Sequence, residues 1–139
     1  MRILALDFGE RRIGLATCDP TGQVVAARRT ILRKSDAAAV REIVTFCAEE
    51  EVERIVLGLP RSPEGRESPL AARIRSFGRR LSQEAGLPVD YHEETLTSWE
   101  AERGRGRAPR SKEEKEEIDR EAAAILLNDY LSERPERRR

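Results

Sequence analysis

Short apolar runs closed by turn residues alternate along this chain with longer stretches whose apolar residues recur at helical spacing. Ile3, Leu4, Ala5 and Leu6 form a run too short for a helix, and Asp7-Phe8-Gly9-Glu10 ends it. Residues 12–18 read as a second strand, Asp19-Pro20-Thr21-Gly22 as a turn, and Val24 to Ile31 as a third strand. Short connections between three such strands predict an antiparallel meander. Ser35 or Asp36 then caps a helix through about Glu51, with Ala39, Val40, Ile43, Val44 and Cys47 on one face. Ile55-Val56-Leu57 is a fourth strand ending in Gly58-Leu59-Pro60. A helix is expected from about Glu67 to Ala85, stopped by Gly86-Leu87-Pro88, and Val89 to Glu93 make a fifth strand. Thr97 or Ser98 caps a short helix broken by Gly104, Gly106 and Pro109, and a last helix runs from about Ser111 to Ser132.

A three-strand meander followed by strand–helix units requires a mixed five-stranded sheet flanked by helices, an α/β architecture that resembles the ribonuclease-H-like plan. Residues 1–133 are expected to form one domain, and the arginine-ended tail, 134–139, to be disordered.

Composition narrows the function. No run approaches the ~20 apolar residues of a membrane span, so a cytoplasmic protein without membrane contact is expected. Cys18 and Cys47 lack metal-ligand spacing and read as small buried hydrophobes. The single histidine, His92, excludes a histidine-rich zinc site within the chain and has no assignable role. Lys and Arg number 26, as do Asp and Glu, so the overall basic balance of many nucleic-acid binders is missing. The charge is banded instead, basic to residue 34 and acidic over 35–60, with further alternation beyond. That banding suits a basic face beside an acidic cleft, or equally a set of solvated helices.

Three acidic positions stand out. Asp7 closes an apolar strand, where α/β sheets tend to place ligands and where turns also favour Asp. Glu93 and Glu94 end the fifth strand in a similar way. Asp119 is the most telling, because steps of three, four and seven along its helix reach Ala122, Ala123 and Leu126. Its carboxylate therefore lies on the buried face, where a cation or an arginine must compensate it. Asp129 lies ~15 Å further along and is rotated off that face. Carboxylates converging from strand one, strand five and the last helix would suit Mg²⁺ or Mn²⁺. One general base contributes about 3–5 kcal/mol, against the roughly 8–23 kcal/mol that an enzyme removes from a barrier. Two ions ~4 Å apart can activate water, neutralise a phosphate and stabilise a leaving oxygen together.

Four segments in order carry a resemblance to a known family. They are Leu6-Asp7-Phe8-Gly9-Glu10-Arg11-Arg12-Ile13-Gly14-Leu15-Ala16 with Asp19-Pro20; Ile55-Val56-Leu57-Gly58-Leu59-Pro60 with Gly65 and Glu67; Glu93-Glu94-Thr95-Leu96-Thr97-Ser98 with Glu100-Ala101-Glu102; and Ile118-Asp119 with Ala122-Ala123 and Ile125-Leu126. Together they resemble the YqgF/RuvX family of Holliday-junction resolvases or pre-16S ribosomal RNA nucleases. Glu93 and Thr95 depart from the Asp and Arg usual there.

The resemblance implies Asp7, Glu94 and Asp119 as catalytic metal ligands. It also implies hydrolysis of phosphodiester bonds with pre-rRNA or branched DNA as substrate, a reaction that two Mg²⁺ or Mn²⁺ ions on these carboxylates would suit. Arg11 and Arg12 straddle two sheet faces, so at most one faces the site. Arg103, Arg105, Arg107 and Arg110, interleaved with glycines, are expected to bind the substrate backbone. Thr97 and Ser98 suit caps rather than nucleophiles, and Trp99 suits a core or interface. A catalytically silent nucleic-acid- or ribosome-binding module on the same fold is the alternative. A two-domain phosphotransferase with a similar first strand pair needs a longer chain. Whether the protein is a monomer or a homodimer stays open.

Overall fold

A computed structural model describes residues 1–62, 64, 66–95 and 111–133, and five strands and three helices form within them. The order is β1 (Ile3–Phe8), β2 (Arg12–Cys18), β3 (Val25–Leu32), α1 (Asp36–Glu49), β4 (Arg54–Arg61), α2 (Pro69–Ala85), β5 (Val89–Thr95) and α3 (Lys112–Ser132). The strands lie in the order β3-β2-β1-β4-β5. β2 runs antiparallel to β1 and β3, while β4 runs parallel to β1 and β5. The expected meander and mixed sheet are both present.

Local chemistry sets the helix ends. Ser35, Ser68 and Ser111 each accept a hydrogen bond from a backbone N–H three residues on, satisfying a donor the helix cannot. Gly86, at φ 69°, closes α2 in the left-handed conformation that a side chain resists. Two strands run further than the hydrophobic runs suggest. β4 continues through Gly58-Leu59-Pro60 to Arg61, and β5 continues past Glu93 to Thr95. The two strands pair with each other beyond Leu57, where β4's ladder with β1 stops. One side of β4 is open there, so a proline is tolerated.

The sheet sorts its side chains by size. Leu4, Leu6, Phe8, Ile13, Leu15, Ile55, Leu57 and Leu59 face α1 and α2 and form the larger core. Ile3, Ala5, Ala16, Cys18 and Val56 face α3. Small residues on this second face let one helix lie close against it. Cys18 and Cys47 are buried free thiols, as expected, and burial pushes Cys47 up to about 12, leaving it an inert packing group. Among the described residues no helix is long and apolar enough to cross a membrane. The short helix expected at Thr97 or Ser98, Trp99, the arginines at 103, 105, 107 and 110, and the tail from 134 lie outside the described residues.

Candidate metal centre

The path of α3 decides which acidic groups can meet. Near its start, Thr30 Oγ1 on β3 donates to the Glu116 carbonyl at 2.5 Å. Three residues on, the backbone of Asp119 lies directly over Gly14 of β2. Leu126 sits over Gly58 of β4, and the Tyr130 hydroxyl donates to Asp90 on β5. The helix thus crosses the sheet from β3 to β5, with successive turns over successive strands.

Gly14 fixes the position of Asp119. A Cβ at Gly14 would overlap the Asp119 carbonyl, so only glycine permits this approach of helix to strand. Asp7 is the residue opposite Gly14 in the β1–β2 ladder. Opposed residues of an antiparallel pair point to the same face, so Asp7 also lies on the α3 side, in register with Ile3 and Ala5. One glycine contact therefore carries two carboxylates, from residues 112 apart in sequence, to the same part of the sheet. Both are buried, at 6% exposure for Asp7 and 7% for Asp119.

A buried carboxylate needs compensation. For Asp119 the structure supplies an arginine, with Arg12 Nε donating to Asp119 Oδ2 at 2.6 Å. Of the two neighbouring arginines, Arg12 is thus the one that faces the site, and Arg11 is exposed. Arg12 is partly exposed and stands at the edge of the acidic pair, where it can also meet an incoming anion.

Glu93 and Glu94 separate cleanly. Glu93 turns to Arg61, at 2.5 Å, and to Arg75 on α2, away from α3. Glu94 points the other way. Its neighbour His92 pairs with Gly58, and its ring meets Tyr130 edge-on with centroids 6.4 Å apart, which puts His92 and Glu94 on the α3 side. There Glu94 Oε1 lies 3.8 Å from His92 Nε2. One ligand atom from each of His92, Glu94 and Asp129 falls within 4.8 Å of the other two. Among the described residues this is the group of three whose ligand atoms converge so closely. Asp7, Glu94 and Asp119 share a face, with Asp7 and Asp119 buried and Glu94 partly so, but do not form such a group.

The crossing of α3 explains this arrangement. From β2 to β5 is three strand spacings, roughly 14 Å. From Asp119 to Asp129 along the helix is roughly 15 Å. A helix spanning the sheet therefore delivers Asp119 to β2 and Asp129 to β5. Helical periodicity alone sets Asp129 aside as rotated from the buried face, and it gives His92 no role. The signal that could have found both is the alternation His92, Glu94 on one strand face, combined with the four-residue step from Asp129 to Glu133. Glu133 Oε2 lies 3.6 Å from His92 Nδ1.

The donor set fits hard divalent ions. Asp7 and Asp119 are buried oxygen donors that the fold brings to one face of the sheet, and Glu94 lies on the same face near the end of β5.

Comparisons with known proteins agree with this fold. The family described as RuvX: Holliday junction resolvase matches residues 1–133. A Synechococcus elongatus protein named "Putative pre-16S rRNA nuclease" is 42% identical over 139 residues, spanning 98% of this chain and 92% of its own length. An Anaeromyxobacter protein (strain K) of the same name is 38% identical over 135 residues, with 96% and 98% covered. Thermus thermophilus RuvC superposes with a TM-score of 0.56 at 13% identity, covering 94% of both chains. The fowlpox virus Holliday junction resolvase gives 0.51 at 15% identity, covering 95% of this chain and 99% of its own. At those identities the two structures bear on the fold, which is ribonuclease-H-like. The chain belongs to the RuvX family.

Proposed function

We propose that this protein is a divalent-metal-dependent nuclease that hydrolyses phosphodiester bonds, with Asp7, Glu94 and Asp119 holding Mg²⁺ or Mn²⁺, two ions in all. Its substrate is the 5′ end of pre-16S rRNA, branched DNA, or both. The observation that carries the reading is the burial of Asp7 and Asp119 on one face of the sheet, with Gly14 opposite Asp7 in the ladder and beneath the Asp119 backbone. A fold spends little on two buried carboxylates unless their charge is used, because each is costly to desolvate. The names of the relatives supply the substrate class.

Each residue has a task that follows from its place. Asp7 is anchored on a central strand and provides an oxygen whose position the sheet dictates. Asp119 is set by the Gly14 contact, and Arg12 balances its charge until a cation takes that part. Glu94 must turn from His92 toward Asp7 by rotating its own side-chain torsions to complete the set. Bound divalent ions would supply an activated water and neutralise charge developing on the phosphate. Arg12, released from Asp119, is placed to contact a phosphate oxygen of the substrate.

The ion pair between Arg12 and Asp119 is also what a silent binding module would keep permanently. Cleavage of labelled pre-16S rRNA fragments and four-way-junction DNA separates the readings. The nuclease reading expects cleavage of at least one substrate with Mg²⁺ or Mn²⁺ and its loss in EDTA. Binding without cleavage under any divalent ion would establish the silent module, and cleavage indifferent to EDTA would remove the metal mechanism.

A further inference from the structure

We propose that His92, Glu94 and Asp129 form a separate site for a first-row transition ion such as Zn²⁺, which shares Glu94 with the carboxylate set above. Ion binding here stands on its own geometry, and only its effect on cleavage rests on the nuclease reading.

The three side chains place a ligand atom each within a 4.8 Å envelope. Tetrahedral ligands about 2.0–2.1 Å from zinc stand about 3.3–3.4 Å apart, so the 4.8 Å envelope must tighten by up to roughly 1.5 Å. Side-chain rotation of Glu94 and Asp129 covers that distance. His92 is the independent observation. Its imidazole is nine-tenths buried, at 9% exposure, yet the carboxylate oxygens facing its two nitrogens stand at 3.8 and 3.6 Å. Both distances exceed hydrogen-bond range, so neither carboxylate holds the ring by a hydrogen bond.

The two ring nitrogens face different partners. Nδ1 faces Glu133, and Nε2 faces Glu94. A carboxylate on the far nitrogen of a metal-ligating histidine is the usual support of such a ligand. Closing from 3.6 Å to accept a hydrogen bond from Nδ1–H as the ion binds, Glu133 would fix the tautomer and leave the Nε2 lone pair for the ion. An imidazole with two carboxylates favours Zn²⁺ over Mg²⁺ or Mn²⁺, which prefer oxygen donors. The site also has a consequence for the enzyme. An ion held by His92, Glu94 and Asp129 keeps Glu94 beside β5 and away from Asp7, so Zn²⁺ suppresses Mg²⁺-supported cleavage.

One histidine in the chain makes the test unambiguous. Untagged full-length protein labelled with ¹⁵N is titrated with Zn²⁺, and the imidazole nitrogens are followed by NMR. The expected result is a shift of the Nε2 signal, with Nδ1 still protonated, saturating at one equivalent. Asp129→Asn weakens the response by at least about tenfold, while Asp119→Asn leaves it unchanged. Imidazole signals indifferent to excess Zn²⁺ overturn the proposal. So does an undiminished response in folded Asp129→Asn. Because the readout is not activity, a failed nuclease assay leaves this test intact.

Discussion

Replacing Asp7 by Asn is expected to lower metal-dependent cleavage roughly 10³-fold or more while leaving the fold intact. Asn keeps the size and one carbonyl oxygen but removes the charge that would hold a divalent ion. A loss of that size corresponds to about 4 kcal/mol, at 1.36 kcal/mol per tenfold, within the several kcal/mol attributed to metal catalysis. Stability should move the other way. Asp7 is buried at 6% exposure, and removing a buried charge relieves desolvation. Thermal unfolding of the variant is therefore expected at or above the wild-type Tm. If Asp7 serves only as a turn residue at the end of β1, the pattern reverses, with lost stability and retained cleavage. Measuring kcat/KM and Tm on one preparation distinguishes the two roles.

Gly14→Ala carries the second large effect, and it acts on the architecture. The added methyl would meet the Asp119 backbone carbonyl and the peptide beside it, which cannot swing aside as a side-chain tip can. Either α3 shifts off the sheet or β2 bends, at a cost of about 1–3 kcal/mol, several degrees in Tm. Cleavage should fall as well, because the contact that positions Asp119 is displaced. Gly58→Ala is the matched control. A Cβ there meets the Leu126 side chain at 3.4 Å, an ordinary packing distance, and the change restricts the unfolded chain. It should be neutral or slightly stabilising. Equal tolerance of both substitutions by thermal denaturation would mean that the close approach at Gly14 is not what seats α3.

Much of this was legible in the order of residues, and the illegible part has a common physical cause. Alternation and turn chemistry revealed the meander, and Ser35 marked the start of α1. The buried face of α3 followed from the spacing of Asp119, Ala122, Ala123 and Leu126, all of which are buried. Those are local properties of single elements. The ends of β4 and β5 were not local, since they depend on two strands pairing with each other past the point where β1 leaves off. The crossing angle of α3 was also hidden. It decides that Arg12 meets Asp119 and that Asp129 meets His92 and Glu94, and it is set by which glycines let the helix come close. Gly14 stood among the residues of the family resemblance, yet its partner lay more than a hundred residues away. The family resemblance named Glu94 rather than Glu93, and the sheet sends Glu93 toward Arg61 and Arg75.

Crystals of the wild-type protein soaked in Mn²⁺ and measured at an energy where manganese scatters anomalously give the most direct test of the central claim. The account predicts an anomalous peak within about 2.1 Å of oxygens from Asp7 and Asp119, with Glu94 turned toward it. Manganese found only elsewhere, with Asp119 still held by Arg12 and Asp7 untouched, would contradict it.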